Sequence, residues 1–151
     1  MLLNALVAFA HFAAAFGVVA TLVFEWLTFS RTPTLTQARQ LALADRRYGI
    51  SAGVLLAAGF ARARYFEKGW GYYQANPFFG LKLTLFLLIG LLSIMPTACF
   101  FRWRSALKAG QAPLLAESQY RRVALSLRLQ MLLLLPLLLC ASLMAHGLAL
   151  G

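Results

Sequence analysis

Histidine and basic residues lie within or beside the apolar segments of this 151-residue chain, where ionisable side chains are costly and often functional. His11 interrupts the first apolar segment, and Arg62, Arg64 and Lys82 flank the next two. A neutral imidazole is a good ligand for iron, and arginine and lysine bind carboxylates. These residue types together could hold haem, whose iron takes a histidine and whose propionates take cations. A quinone headgroup or an anionic lipid is also compatible with such a cationic cavity.

Each apolar segment carries one stripe of polar residues when it is drawn as a helix that turns 100° per residue. The ends of the four stripes are His11 and Glu25, Tyr48 and Arg62, Lys82 and Ser93, and Arg128 and His146, each pair within about 40° of one helix face. Four polar stripes predict a bundle of helices with a polar interior.

The position of each residue along its segment divides these side chains into two groups. Glu25, Tyr48 and Arg128 fall at the ends that lead to the most basic connections, and we predict that they form a structural polar layer. In this layer Glu25 and Arg128 are expected to neutralise each other, because a buried charge needs a partner. His146 lies near the chain end and is predicted to be interfacial.

The second group occupies the opposite half of the predicted bundle, and Glu67 is the only carboxylate close to it in sequence. Excess positive charge in a half-buried cavity calls for an anionic ligand. We therefore predict His11 as a metal ligand and the following cations as cofactor-binding residues: Lys82, Arg62 and Arg64. Two structural alternatives stand beside this interpretation, a histidine hydrogen-bonded to a neighbouring helix and a lysine extended to the lipid headgroups.

The composition excludes a water-soluble fold and favours an integral membrane protein. Hydrophobic residues make up 62% of the chain and charged residues only 12%, about half of the ~25% that soluble domains carry. The mean hydropathy is +0.75. The chain has no P-loop, dinucleotide-binding, zinc-protease or serine-hydrolase motif. Cys99 and Cys140 lie in apolar segments and are predicted to be buried filler.

Four transmembrane helices are predicted, forming an all-α bundle and a single domain over residues 1–151. Three uncharged segments, 2–24, 83–101 and 129–151, hold 19 to 23 residues each, close to the ~20 that span a bilayer. A fourth, Tyr48 to Ala61, is shorter but is bracketed by arginines that can reach each interface. The predicted spans are about 2–29, 46–65, 77–101 and 123–148. Thr34 and Gln37 form a capping-box pattern that could begin the second helix earlier.

The distribution of basic residues predicts the orientation. Nine arginines and lysines belong to the first and third connections, three belong to the second, and neither chain end has one. Because basic loops stay in the cytoplasm, both termini are predicted to face outward.

Several motifs resemble a family of four-span bacterial inner-membrane proteins of unknown function. They are the segments 44–49 (ADRRYG), 66–69 (FEKG), 76–83 (NPFFGLKL) and 90–97 (GLLSIMPT). More distantly, 8–11 (AFAH) and 80–83 (GLKL) are similar to the HemJ-type protoporphyrinogen oxidases and the membrane domain of CopD copper-resistance proteins. That resemblance implies a multi-pass inner-membrane protein with haem b, and it implicates His11 and Lys82.

The function predicted on this basis is haem b binding, with electron transfer or porphyrin or quinone redox chemistry. If the chain is an enzyme, the resemblance implies a membrane oxidoreductase. The alternative is a small transporter or structural membrane protein whose cationic cavity holds an anionic solute or lipid. The compatible partners are the lipid bilayer, a porphyrin, a quinone, a redox protein and a second copy of the chain, whereas nucleic acid is not expected.

Overall fold

A computed structural model describes residues 1–66 and 69–146, and within these ranges the chain forms helices without any strand. Four helices are long: α1 (Leu2–Thr28), α2 (Leu35–Ala61), α4 (Pro77–Arg102) and α6 (Glu117–Ala145). Two are short, α3 (Trp70–Ala75) and α5 (Arg104–Lys108), and a π-helical segment (Arg62–Phe66) continues α2. The prediction of an all-helical fold is confirmed.

Three stretches are long and apolar enough to cross a membrane. They are α1 (Leu2–Thr28), α4 together with α5 (Pro77–Lys108) and α6 (Glu117–Ala145). Their outer surfaces carry large apolar side chains: Leu6, Phe9 and Phe16 of α1 are each more than half exposed. Contiguous exposed apolar surface of this extent is typical of a protein that faces lipid. Helix α2 is not among them, and its first half carries four charged residues, Arg39, Asp45, Arg46 and Arg47.

The helix starts follow local capping chemistry. Thr34 and Gln37 form the predicted capping box, with their side chains accepting hydrogen bonds from each other's backbone N–H at 3.2 and 2.9 Å. Helix α2 therefore begins at Leu35, well before the span predicted over 46–65. Helix α4 begins at Pro77, where the Asn76 side chain accepts from the N–H of Phe78 at 3.0 Å.

The long helices pack mainly in two pairs, α1 with α2 and α4 with α6, and the pairs meet through α2 with α4 and α1 with α6. Gly17 of α1 contacts Ser51 of α2, and His11 of α1 approaches Gly59 of α2. Residues early in α1 thus lie beside residues late in α2, so the two helices run antiparallel. Small residues at such crossings let the backbones come close.

The connections 29–34 and 103–116 lie together at one end of the molecule, which we call the basic end. The Phe29 ring stacks on Tyr120 at 5.5 Å and on Trp103 at 6.5 Å between centroids. Arg31 forms an ion pair with Glu117 at 3.0 Å. These contacts join the end of α1 to the start of α6, and they gather the two most basic connections on one side.

Candidate functional site

A cavity of about 680 Å³ lies between the long helices at the end opposite the basic end, and we call it the His11 cavity. Its polar lining includes His11 of α1, Arg62 at the end of α2 and Lys82 of α4. Three helices therefore bring one imidazole and two cations to a single space. This volume falls within the roughly 300–1,000 Å³ of pockets that hold small molecules and cofactors.

His11 is half-buried in the wall of this cavity. Its ring meets the Phe12 ring edge-on at 5.9 Å between centroids. Gly59 of α2 faces the imidazole, and a Cβ atom built on this glycine would lie 3.3 Å from the His11 Cε1 atom. Because Gly59 has no side chain, it leaves room for the imidazole between α1 and α2.

The two cations reach the cavity from different elements. Arg62 begins the π-helical segment after α2, and its guanidinium carbon lies 5.0 Å from the Phe12 ring centroid. This is within the ~6 Å range of a cation–π contact. Lys82 lies in the second turn of α4 and is half-buried. Both positive charges are therefore held at a partly apolar wall.

Aromatic rings form much of the remaining lining. Phe79 contacts Trp70 at 6.1 Å and Tyr73 at 5.2 Å between centroids. No tyrosine was predicted in this cavity, yet Tyr72 and Tyr73 both line it, and Tyr73 is only 4% exposed. The sequence does contain a signal for these tyrosines, because the short segment 70–75, between Gly69 and Asn76, is aromatic.

Arg64, predicted as a cofactor-binding residue, and His146, predicted to be interfacial, both lie outside the cavity. The Arg64 side chain is exposed and does not line it. His146 is exposed, and its Nδ1 atom lies 2.9 Å from the Ser142 carbonyl oxygen of its own helix. His146 does not line the cavity. Glu67 lies outside the described residues.

A second polar cluster lies between the helices nearer the basic end. The Tyr48 hydroxyl donates to the Gln130 side-chain oxygen at 3.3 Å, and Gln130 donates to the Ser126 hydroxyl at 3.4 Å. Ser126 in turn donates to the Leu92 carbonyl oxygen at 2.6 Å. This chain of hydrogen bonds links α2, α6 and α4, and Tyr48 takes part in it together with Gln130 and Ser126.

The predicted ion pair between Glu25 and Arg128 is not formed. Glu25 is 2% exposed, whereas the Arg128 side chain is exposed on the other side of α6. Gln130 occupies the buried face in its place. Residues two apart on a helix differ by about 200°, so only one of Arg128 and Gln130 can point inward. Sequence reasoning missed Gln130, although its spacing from Ser126 matches the other buried positions of α6.

Glu25 is therefore a buried carboxyl group without a cationic partner among the described residues. Its Oε1 atom has no hydrogen-bond partner, and its electrostatic neighbour is Asp45 of α2. Asp45 accepts a hydrogen bond from the Thr97 hydroxyl at 2.6 Å. Two carboxyl groups thus lie together near the basic end, about 21 Å along α1 from His11 at 1.5 Å per residue.

Within residues 1–66 and 69–146, no three His, Cys, Asp or Glu side chains are grouped closely enough to hold a metal ion. A metal bound only by protein side chains is thus not supported in this part of the chain. A metal held by an organic group receives ligands from that group and needs fewer from the protein. A single histidine can provide such a protein ligand.

The apolar helices and their lipid-facing surfaces define a helical membrane protein. The sequence matches the family described as predicted membrane protein DUF2214 over residues 3–149, and the chain belongs to that family. No curated protein and no solved structure matches the chain.

Proposed function

We propose that this protein binds haem b, or a porphyrin of the same shape and charge, in the His11 cavity. The observation that carries the proposal is the convergence of His11, Arg62 and Lys82 on one aromatic-lined space. Imidazole suits the iron, the two cations suit the propionates, and flat rings suit the macrocycle. The same ligand is the one that the sequence resemblance of 8–11 and 80–83 to HemJ and CopD proteins predicts, although no curated protein matches the chain.

The residues of the cavity fit this group by their chemistry. His11 would supply an imidazole ligand to the iron from the half-buried wall, and Arg62 and Lys82 would hold the propionates. Bound haem would supply one-electron redox chemistry. The chain's own contribution is to orient the group between α1, α2 and α4 and to shield it with aromatic side chains.

We also propose that all four long helices cross a bacterial inner membrane, with the basic end in the cytoplasm. The contacts Gly17–Ser51 and His11–Gly59 place the apolar half of α2 beside the middle of α1. If α1 spans the bilayer, that half of α2 lies in the same slab. The excess of arginine and lysine at the basic end supports the cytoplasmic assignment.

Absorbance spectroscopy tests the haem proposal. Protein purified from haem-replete cells is expected to show a Soret band, with a spectral change on reduction. His11→Ala should abolish this band because it removes the imidazole that would bind the iron. His146→Ala is the matched control, since this exposed histidine lies outside the cavity, and it should retain the band.

The cations are tested in the same way. Arg62→Gln with Lys82→Gln should weaken haem binding, whereas Arg64→Gln, an exposed neighbour outside the cavity, should not. A folded wild-type protein that is colourless and takes up no added hemin would refute the proposal. The cavity would then be better explained as the site of an anionic solute or lipid in a transporter or structural protein.

A further inference from the structure

A second concave surface lies between α4 and α6 at the basic end, remote from the His11 cavity. It has a volume of about 590 Å³, and we call it the Arg102–Arg122 groove. Leu91, Ile94 and Met95 of α4 form its apolar part, and Arg102 and Arg122 lie at its polar end. One end is thus cationic and the other is apolar.

The two arginines are available to an external anion. Both side chains are exposed, and neither forms an ion pair with another described residue. The nearby carboxylate of Glu117 is already engaged, because it pairs with Arg31 at 3.0 Å and with Arg121 at 2.6 Å. Ser118 and Gln119, in the first turn of α6, add polar groups to the same end of the groove.

The length of the apolar part matches one leaflet of a bilayer. Leu91, Ile94, Met95 and Arg102 follow one face of α4, and Leu91 and Ile94 are more than 60% exposed. Leu91 and Arg102 are eleven positions apart, or about 16.5 Å along the helix at 1.5 Å per residue. Half of a ~30 Å hydrocarbon core is about 15 Å. An acyl chain that starts at the arginines would thus end near the bilayer centre.

We infer that the Arg102–Arg122 groove binds an anionic phospholipid, with its phosphate at the two arginines and an acyl chain along Leu91, Ile94 and Met95. Basic pockets between transmembrane helices are suited to anionic headgroups. Charge complementarity selects an anionic lipid over a zwitterionic one, and the apolar part selects a lipid over a soluble phosphate. The site is separate from the His11 cavity and does not depend on haem binding.

Native mass spectrometry of the full chain, titrated in detergent with phosphatidylglycerol or phosphatidylcholine, tests this inference. We expect one tight site for phosphatidylglycerol and none for phosphatidylcholine. Arg102→Gln with Arg122→Gln should weaken this site about 30-fold, because each basic residue at an anionic headgroup contributes about 1 kcal/mol. Arg46→Gln with Arg47→Gln is the matched control, since it removes the same charge from exposed positions of α2 and should leave the affinity unchanged.

A second variant tests the acyl-chain part and leaves both arginines in place. Ile94→Trp fills the exposed groove without entering the core, and it should also weaken phosphatidylglycerol binding. Glycerol phosphate should not compete, because it lacks the chain. Equal binding of the two lipids, equal loss in the control, full affinity in Ile94→Trp, or competition by glycerol phosphate would each overturn the inference.

Discussion

At the scale of single residues, the most unusual group is the buried carboxyl of Glu25. A charge enclosed by protein and lipid is stabilised only by a partner, and removal of one member of a buried ion pair costs about 3–5 kcal/mol. Glu25 has no such partner in the described part of the chain, and its oxygen Oε1 accepts no hydrogen bond. Replacement of Glu25 should therefore not cause the loss of stability that follows when one member of a buried ion pair is removed.

Substitution of Glu25 and of Arg128 tests this difference. Glu25→Gln keeps the shape and cannot ionise, so the melting temperature should stay the same or rise. Arg128→Gln changes an exposed side chain and should alter stability by no more than about 0.5 kcal/mol. Thermal unfolding of both variants in detergent measures the effect. A large loss in each, restored by combining the two changes, would show that the residues do pair.

At the scale of helices, the antiparallel contact of α1 with α2 depends on small residues. A Cβ atom built on Gly17 would lie 3.1 Å from the Ser51 Cβ and would meet the Ser51 hydroxyl more closely still. Since Ser51 has no long side chain that could move aside, the added methyl group must push the helices apart. This contact also sets the spacing at His11 and Gly59, one side of the His11 cavity.

Gly17→Ala is expected to destabilise the protein by about 1–3 kcal/mol, the usual cost of overpacking. Gly53→Ala is the matched control, because nothing lies within 4 Å of a Cβ at that position. It should be neutral or stabilise α2 by about 0.5–1 kcal/mol, the helix advantage of alanine over glycine. The melting temperatures of the two variants measure these changes in stability. Equal effects would mean that the α1–α2 contact is not tight.

At the scale of the whole molecule, polar groups are divided between two ends. The His11 cavity lies at one end, and the basic end holds the Arg31–Glu117 ion pair and the Arg102–Arg122 groove. The described contacts place both basic connections at the same end. Both connections must therefore lie on the same side of the membrane. We expect the basic end to face the cytoplasm.

Cysteine labelling in intact cells tests this orientation. Cys99 and Cys140 are buried and can be replaced by alanine to remove background. A cysteine at exposed Gln111, at the basic end, should resist a membrane-impermeant reagent until the cells are opened. A cysteine at exposed Gln74, in α3 beside the His11 cavity, should react in intact cells. Reversal of this pattern would invert the proposed topology.

Sequence by itself determined the features that depend on local chemistry and on composition. The apolar segments identified a helical membrane protein, and the capping box at Thr34 and the proline at position 77 marked two helix starts. Helical spacing also placed His11 on the same face of α1 as Glu25. These follow from residue propensities and from the 3.6-residue turn, which act within one helix.

Only the tertiary structure decided which face of each helix points inward. Arg128 and His146 were predicted to lie on one inward face, but both are exposed, and Gln130 lies inside. Likewise Arg62 lines the His11 cavity while Arg64, two residues on, does not. The physical reason is that lipid is as apolar as a bundle interior, so hydrophobicity does not select the buried face. Helix packing makes that choice, through contacts between residues that are distant in sequence.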